Sequence, residues 1–367
     1  MSEHIGLYLH IPFCKSKCAY CDFFSRAADE AQLNRYTAQM LKAVTDWGKK
    51  ARETVSSVYF GGGTPSVLGT NRLCELLCAV KSAFTVDKNA EITLEVNPES
   101  ALRLDFSALR SAGFNRVSVG LQSANDEELR ILGRIHTTRQ AAQAVKAAQA
   151  AGIENTSLDL MMGIPLQTRD SLRRSIDFCA SLGVTHISSY ILKIEQGTRF
   201  YSIKEQLQLP DEDAQAELYL YAAEYLKQHG FLQYEISNFS VPGFESRHNT
   251  LYWRCGEYIG IGAAAHSFYH GRRFYTPRSF EAFYRGESID DGEGGGEDEY
   301  IMLALRLAEG LRFEAFEKRF GHPLSPAFFN KLSGFEKAGY MKSDDRRACF
   351  TPKGFLVSNA ILSELLI

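Results

Sequence analysis

Between Ile5 and about Leu192 the chain alternates two hydrophobic rhythms. Short apolar runs rich in β-branched and aromatic residues are separated by longer stretches with an apolar residue every three or four positions. The short runs predict strands at residues 5–10, 55–60, 91–96, 116–120, 156–161 and 186–192. The longer stretches predict helices. Leu33, Tyr36, Met40, Val44 and Trp47 mark one face of the first. Leu73, Leu76, Leu77, Val80 and Phe84 mark the second, with Thr70 placed to cap it. The alanine-rich residues 138–151 predict a third. Strands that each return through a helix pair in parallel, with the helices outside the sheet. Six such units are three-quarters of an eightfold barrel. The expected fold is therefore α/β, a partial TIM-type barrel of about six β/α units.

Beyond Leu192 the rhythm changes. Residues 210–213 lead into an amphipathic helix that runs to about Gly230, followed by an irregular region from Tyr234 to Phe283 rich in aromatic, Gly and His residues. Residues 286–299 are acidic and glycine-rich and predict an exposed linker or loop. The last segment predicts three helices, a hairpin around Asp344–Arg347 with Cys349, Phe350 and Thr351 in its second strand, and a final helix, a winged-helix-like unit. The expected division is residues 1–200 for the partial barrel, 201–289 for a barrel-completing, aromatic and His-rich region, and 290–367 for the small C-terminal domain. Winged units often bind DNA, but only Arg346, Arg347 and Lys353 cluster near this wing, so a structural or partner-docking role is expected.

Composition narrows the function. Hydrophobic residues make up 45% of the 367, enough for a sizeable core, and the net charge of −3 gives no reason to expect a nucleic-acid partner. No run of about 18 apolar residues occurs, so no transmembrane segment is expected. The first thirteen residues lack a basic stretch followed by an apolar one, so no signal peptide is expected either. Of eight cysteines, Cys14, Cys18 and Cys21 fall within eight residues. Such clustering in a long chain favours metal binding over a disulfide framework. Cys74, Cys78, Cys179, Cys255 and Cys349 are scattered and read as small buried residues. A reducing cytoplasm fits this usage.

The cysteine triplet directly follows the first predicted strand. Three thiolates at C-x3-C-x2-C spacing can each take one iron of a [4Fe–4S] cubane, leaving the fourth iron open to a small molecule. Zinc, the competing metal, prefers four ligands and paired C-x2-C knuckles. Gly61, Gly62, Gly63, Thr64 and Pro65 follow the second strand, where a glycine-rich backbone can approach a ligand closely. Polar residues then recur near the ends of the later strands: Glu95, Gln122, Asp159, Tyr190 and Lys193. Singly, each reads as a satisfied polar residue; together they mark the face where barrel active sites lie. Arg134 is a candidate cation for the same cleft.

These motifs, in order, resemble a known family. Tyr8 to Cys14 read Tyr-Leu-His-Ile-Pro-Phe-Cys. After the triplet come Gly-Gly-Gly-Thr-Pro, Glu-Val-Asn-Pro from Glu95, Gly-Leu-Gln-Ser from Gly120, Leu-Gly-Arg from Leu132 and Asp-Leu-Met-Met-Gly-Ile-Pro from Asp159. Together they resemble the oxygen-independent coproporphyrinogen III dehydrogenase family of radical S-adenosylmethionine (SAM) proteins, over nearly the whole chain. The resemblance implies a cluster on Cys14, Cys18 and Cys21, and SAM contacts from Tyr8, Tyr20, Gly62, Gly63, Thr64, Glu95, Gln122, Arg134 and Asp159. Two features depart from the dehydrogenases. Phe23 stands where they carry a fourth cysteine, and only thirteen residues precede Cys14. Both resemble the HemW-type heme-chaperone branch, which is thought to bind heme and hand it to acceptor proteins. The stretch His248-Asn249-Thr250-Leu251-Tyr252-Trp253 is similar to that branch's H-N-x-x-Y-W motif. The resemblance makes His248 the candidate axial ligand for heme iron, with His266 second; from the residues alone, a hydrogen-bonded histidine in an aromatic loop fits as well. The expectation is a heme chaperone with heme as cargo, unidentified acceptor proteins as partners and no coproporphyrinogen dehydrogenase activity. The alternative is that dehydrogenase reaction, radical oxidative decarboxylation in porphyrin biosynthesis.

Overall fold

A computed structural model of the chain describes residues 4–366. Residues 1–3, on which the reading of the N-terminus partly rests, and residue 367 lie outside the described residues. Each of the six expected strands forms: β1 (His4–Ile11), β2 (Thr54–Gly62), β3 (Val86–Val96), β4 (Arg116–Gln122), β5 (Asn155–Met162) and β6 (His186–Ile191). They lie side by side in chain order and pair in parallel, each joined to the next through helix. The sheet continues through β7 (Leu232–Gln233), β8 (Asn238–Ser240), β9 (Tyr258–Ile261), β10 (His266–Tyr269), β11 (Arg272–Tyr275) and β12 (Ile289–Glu293). β9 adds a seventh parallel strand beside β1, with Leu7 opposite Ile259. β8 pairs antiparallel with β6, and β10 to β12 form an antiparallel arm beyond β9.

Strand alternation explains the composition of these runs. Successive side chains point to opposite faces. Ile5, Leu7, Leu9 and Ile11 of β1, Val58 and Phe60 of β2, and Val117 and Val119 of β4 are fully buried on the outer face, beneath the helices. The intervening positions face the barrel interior and are polar or small: Gly6 and Tyr8, Ser57 and Tyr59, Glu91 and Glu95, Arg116 and Ser118, Asp159, His186 and Ser188. The interior is therefore a polar core roofed by the strand ends. Its lower end is filled by the short helix Arg247–Trp253, which packs on β2.

Two local expectations need correction. Residues 286–299 are not a linker: they contain β12, the edge strand of the large sheet, where Asp290 pairs with Arg272 of the neighbouring strand, and the start of the helix Glu297–Ala304, where Glu299 pairs with Arg273; the strand's acids stay exposed. Thr70 lies inside its helix (Gly69–Ala83) rather than at the cap, because a 3-10 turn at Pro65–Leu68 leads straight into it; the Thr70 hydroxyl instead accepts from the Asp105 amide at 2.9 Å. In the C-terminal unit, β13 (Leu311–Arg312), β14 (Met341–Ser343) and β15 (Arg347–Phe350) form a small antiparallel sheet with four helices, Phe313–Phe320, Pro326–Lys337, Pro352–Leu356 and Ser358–Leu365, in a winged-helix-like arrangement. No helix among the described residues is long and apolar enough to cross a membrane.

Candidate cofactor site

The cleft over the C-terminal ends of β1 to β6 has a volume of about 340 Å³. Cys14, Cys18 and Cys21 line it together with Tyr20, Gly62, Gly63, Thr64, Glu95, Gln122, Arg134 and Asp159. These residues span well over a hundred positions of sequence, and one cavity gathers them. Three residues expected at the site stand elsewhere. Lys193 is mostly exposed and lines a neighbouring cleft rather than this one. Tyr8 lies one layer below, its hydroxyl 3.1 Å from His10 Nδ1 and its ring 6.1 Å from that of Tyr59. His248 lies below that, on the barrel-filling helix.

The loop carrying the cysteines is held in place along its length. Cys14 N–H donates to the Arg26 carbonyl and Arg26 N–H to that of Pro12, closing the loop's base. Ala19 N–H donates to the Leu132 carbonyl, and Phe200 N–H to that of Ala19. Close approach of β2's end to this loop requires glycine. A Cβ on Gly63 would sit 2.8 Å from the Phe13 carbonyl oxygen and 3.1 Å from Cys14 Sγ. Gly62 has φ +116°, and a Cβ there would meet the His10 ring at 2.8 Å.

Polar contacts radiate from the sulfurs into the cleft. Thr64 Oγ1 is 3.3 Å from Cys14 Sγ and accepts from Asn97 Nδ2 at 2.9 Å. Arg134 Nη1 donates to Cys18 Sγ at 3.3 Å, and Nη2 donates to Asn97 Oδ1 and the Gly120 carbonyl, both at 2.7 Å. Asn97 thus joins the Cys14 side to the Cys18 side. Its place in the Glu-Val-Asn-Pro motif, just past β3, was the available signal, but that position alone does not distinguish a hub from a turn residue. Glu95 accepts from the Tyr59 hydroxyl at 2.7 Å and the Gly62 amide at 3.3 Å. Burial, and then the nearby charge of Asp159, push its carboxyl up to about 7, against the pull of the Tyr59 bond. Asp159 accepts from Ser118 Oγ at 3.0 Å, and burial raises it too. Gln122 closes β4 at φ 73°, a left-handed conformation costly for a residue with a Cβ and typical of functional positions.

This donor set fits an iron–sulfur cluster and a zwitterionic ligand. Three thiols and no further cysteine face the cleft; Phe23, 65% exposed, lines it two residues after Cys21. Three thiolates leave one iron free, and a guanidinium bonded to one of the sulfurs offsets their negative charge. Beside them, a carboxylate pair (Glu95, Asp159) and a cation (Arg134) offer partners of both signs, as an amino-acid moiety requires.

His248 is 1% exposed and both its ring nitrogens are engaged, Nδ1 with Ser57 Oγ at 2.8 Å and Nε2 with the Tyr252 hydroxyl at 2.7 Å. Its ring stacks on Tyr59 at 5.0 Å, so it contacts the residue that holds Glu95. Glu91 accepts from the His248 amide at 3.1 Å and the Arg247 amide at 3.0 Å, fixing the start of this helix. His266 is exposed at the start of β10, its ring stacked on Tyr275 at 4.9 Å.

Comparison with known families matches residues 8–179 to the Radical SAM superfamily and residues 298–357 to the HemN C-terminal domain. Among curated proteins, the chain is 34% identical to Heme chaperone HemW of Mycobacterium tuberculosis, over 99% of this chain and 95% of that one. It is 37% identical to Heme chaperone HemW of Escherichia coli over 83% of each. Among solved structures, coproporphyrinogen III oxidase (HemN) from Escherichia coli, a radical SAM enzyme, superposes with a TM-score of 0.83 at 21% identity, covering 98% of this chain and 89% of that one; at that identity the likeness is one of fold. With the three thiols, the glycine loop and the strand-end carboxylates gathered at one cleft, the chain belongs to the HemW heme-chaperone family of radical SAM proteins, whose cofactors are a [4Fe–4S] cluster and SAM.

Proposed function

We propose that the protein binds heme and passes it to acceptor proteins, on a scaffold that carries a [4Fe–4S] cluster and SAM. The observation that carries this reading is the end-to-end likeness to Heme chaperone HemW of Mycobacterium tuberculosis, 34% identical over 99% of the chain. In this reading Cys14, Cys18 and Cys21 hold the cluster. Glu95 accepts from the SAM amino group, Arg134 meets its carboxylate, Tyr20 packs on it, and Gly62, Gly63, Thr64, Gln122 and Asp159 complete the cradle, with Tyr8 supporting it from below. When bound, cluster and SAM together supply one-electron chemistry at the SAM sulfonium. That all eight cysteines are free thiols supports a reducing cytoplasm as the place of action.

His248 is the proposed axial ligand. Burial, and then the charge of Arg116, lower its ring to about 3, so it is neutral, as iron ligation requires. Ligation would exchange the Tyr252 hydroxyl for iron at Nε2 and, with His248 1% exposed, would require the helix Arg247–Trp253 to leave the barrel. Ser57 on Nδ1 is suited to orient the ring. The test is heme titration of the wild type and His248→Ala, followed by the Soret band. The variant is expected to lose the wild-type Soret position and bind at least about tenfold more weakly, or about 1.4 kcal/mol. An unchanged band and affinity would exclude His248 and turn attention to His266.

No observation favours coproporphyrinogen decarboxylation over this reading, and Phe23 at the fourth cysteine position argues against it. Anaerobic incubation of the reconstituted protein with SAM, reductant and coproporphyrinogen III is expected to yield no vinyl product above background by chromatography. Many turnovers per chain would reverse the assignment.

A further inference from the structure

A second cleft, of about 350 Å³, opens on the outer side of the barrel wall, between β6, the segment around Ile236 and the C-terminal unit. Tyr190 lines both this cleft and the cofactor cleft, so the two adjoin. Its walls are largely apolar, from Tyr190, Ile191, Tyr219, Ile236, Phe355 and Leu356. One end is not. Arg306 is half-buried there, with Nη1 donating to Ser358 Oγ at 2.8 Å and Nη2 to Asn359 Oδ1 at 2.6 Å. Both partners are neutral, and the Arg306 guanidinium forms no ion pair among the described residues. Burial pulls its pKa down, which registers the cost of a charge left without a counterion. The acid whose charge reaches it, Glu235, is itself pushed up to about 7 by burial and bonded to the Ser237 amide at 2.9 Å.

Two further features point the same way. The hydroxyl of Ser189, 1% exposed and on the wall of the same cleft, has no hydrogen-bond partner among the described residues. Buried hydroxyls are rarely left so. Lys193, at the rim and mostly exposed, adds a second cation, paired with Glu195 at 2.6 Å.

We infer that this cleft is a subsite for a carboxylate borne on an apolar body, with Arg306 as the bonding cation and a propionate arm of heme as its occupant. The occupant rests on the heme-chaperone reading; the carboxylate subsite rests on the cleft itself. The volume is at the low end of ligand pockets, ~300–1,000 Å³, so it takes one edge of a macrocycle rather than the whole. Bidentate guanidinium–carboxylate pairing would then satisfy Arg306 while Ser358 and Asn359 hold it in place.

The intact chain is titrated with heme and with heme dimethyl ester, in the wild type, Arg306→Met and Asn359→Asp. The last variant is isosteric and sets a permanent carboxylate against Arg306, which keeps the fold while filling the subsite from within. Wild type is expected to prefer heme over its diester by about tenfold. Both variants should lose that preference and bind the diester as the wild type does. Equal binding of acid and ester by the wild type, or a preference that survives Arg306→Met, would overturn the propionate assignment. If the wild type binds neither, the heme reading fails, and hexanoate decides the subsite alone. Thermal stabilisation by hexanoate in the wild type and not in Arg306→Met would uphold a carboxylate site; none in either would overturn it.

Discussion

Glu95 shows how one residue carries both a cost and a use. Its carboxyl is held near 7 by burial while the unfolded chain titrates near 4.5. The folded state therefore keeps a proton that the unfolded state releases. Stability falls as pH rises from about 4.5 to 7 and stays reduced above that. A ligand ammonium reverses the balance, because it favours the ionised form. SAM affinity is thus expected to rise through pH 7, with proton release on binding; calorimetry at pH 6 and 8 in buffers of different ionisation enthalpy reads both. Glu95→Gln should weaken SAM binding at least about tenfold at pH 8. The same substitution should leave the cluster in place and make the cofactor-free protein more stable at that pH, since the buried charge is gone. Lower stability would mean that Glu95 is a structural acceptor for Tyr59 first. The sequence showed Glu95 as a carboxylate in an apolar run. It did not show that Tyr59, thirty-six positions earlier, would hold it, or that Asp159 would raise it. Those are long-range contacts that no local pattern encodes.

At the scale of the element, the cysteine loop is the informative case. Its spacing and its place after a strand were legible. What makes it rigid was not, because the restraints come from distant segments: the Leu132 carbonyl, the Phe200 amide, and the ring of Phe280. Phe280 stacks on Phe13 at 5.5 Å, sits 5.2 Å from Phe24 and 5.8 Å from Tyr36, and lies under the Arg26 guanidinium at 3.9 Å. It touches the loop at both ends. Arg278 bridges to Asp22 at 3.2 Å, but both groups are largely exposed, so that pair contributes at most about 1 kcal/mol. The aromatic anchor outweighs it: Phe280→Ala is expected to cost ~3 kcal/mol in chemical denaturation. It should also speed loss of iron and sulfide from the reconstituted cluster in air, with Arg278→Ala close to wild type on both counts. Ala at Cys14, Cys18 or Cys21 should instead prevent cluster assembly altogether. A Phe280→Ala protein with a wild-type rate of cluster loss would remove the anchor from the account. The acidic edge strand β12 teaches the converse. Its charges do stay solvated, but the run forms a strand, and the partner that Asp290 finds, Arg272, lies on the neighbouring strand, where one-dimensional charge patterning does not look.

For the whole molecule, the six parallel strands and their order followed from periodicity, because each β/α unit is a local solution to burying one sheet face. The filling of the barrel did not. A conventional barrel interior is apolar; here Arg116, fully buried, sits among Glu91, Ser157 and His186 on the lower strand ends, and the helix Arg247–Trp253 closes that end. Burial opposes the Arg116 charge, and Glu91 leads the acids and phenols that offset it, leaving its pKa raised. Glu91 also receives the amides of Arg247 and His248, so the carboxylate whose charge most favours Arg116 also anchors the helix that presents the proposed heme ligand. Glu91→Gln keeps the shape but leaves Arg116 without its main countercharge and replaces a charged acceptor at the helix start with a neutral one. No ion pair or hydrogen bond joins Glu91 to Arg116 among the described residues, and Arg116 Nε and Nη1 have no partner there, so Glu91 acts on it only through space; a fall in denaturation midpoint is expected when that charge is lost. Glu91→Gln combined with Arg116→Met removes both charges and should recover much of that loss, which a simple packing defect would not. If heme reaches His248 only when this helix leaves the barrel, the single variant should also bind heme faster than wild type in stopped flow, with His248→Ala abolishing the fast phase. Unchanged heme association despite the lost stability would mean that the helix stays in place during binding and that His248 is not the ligand.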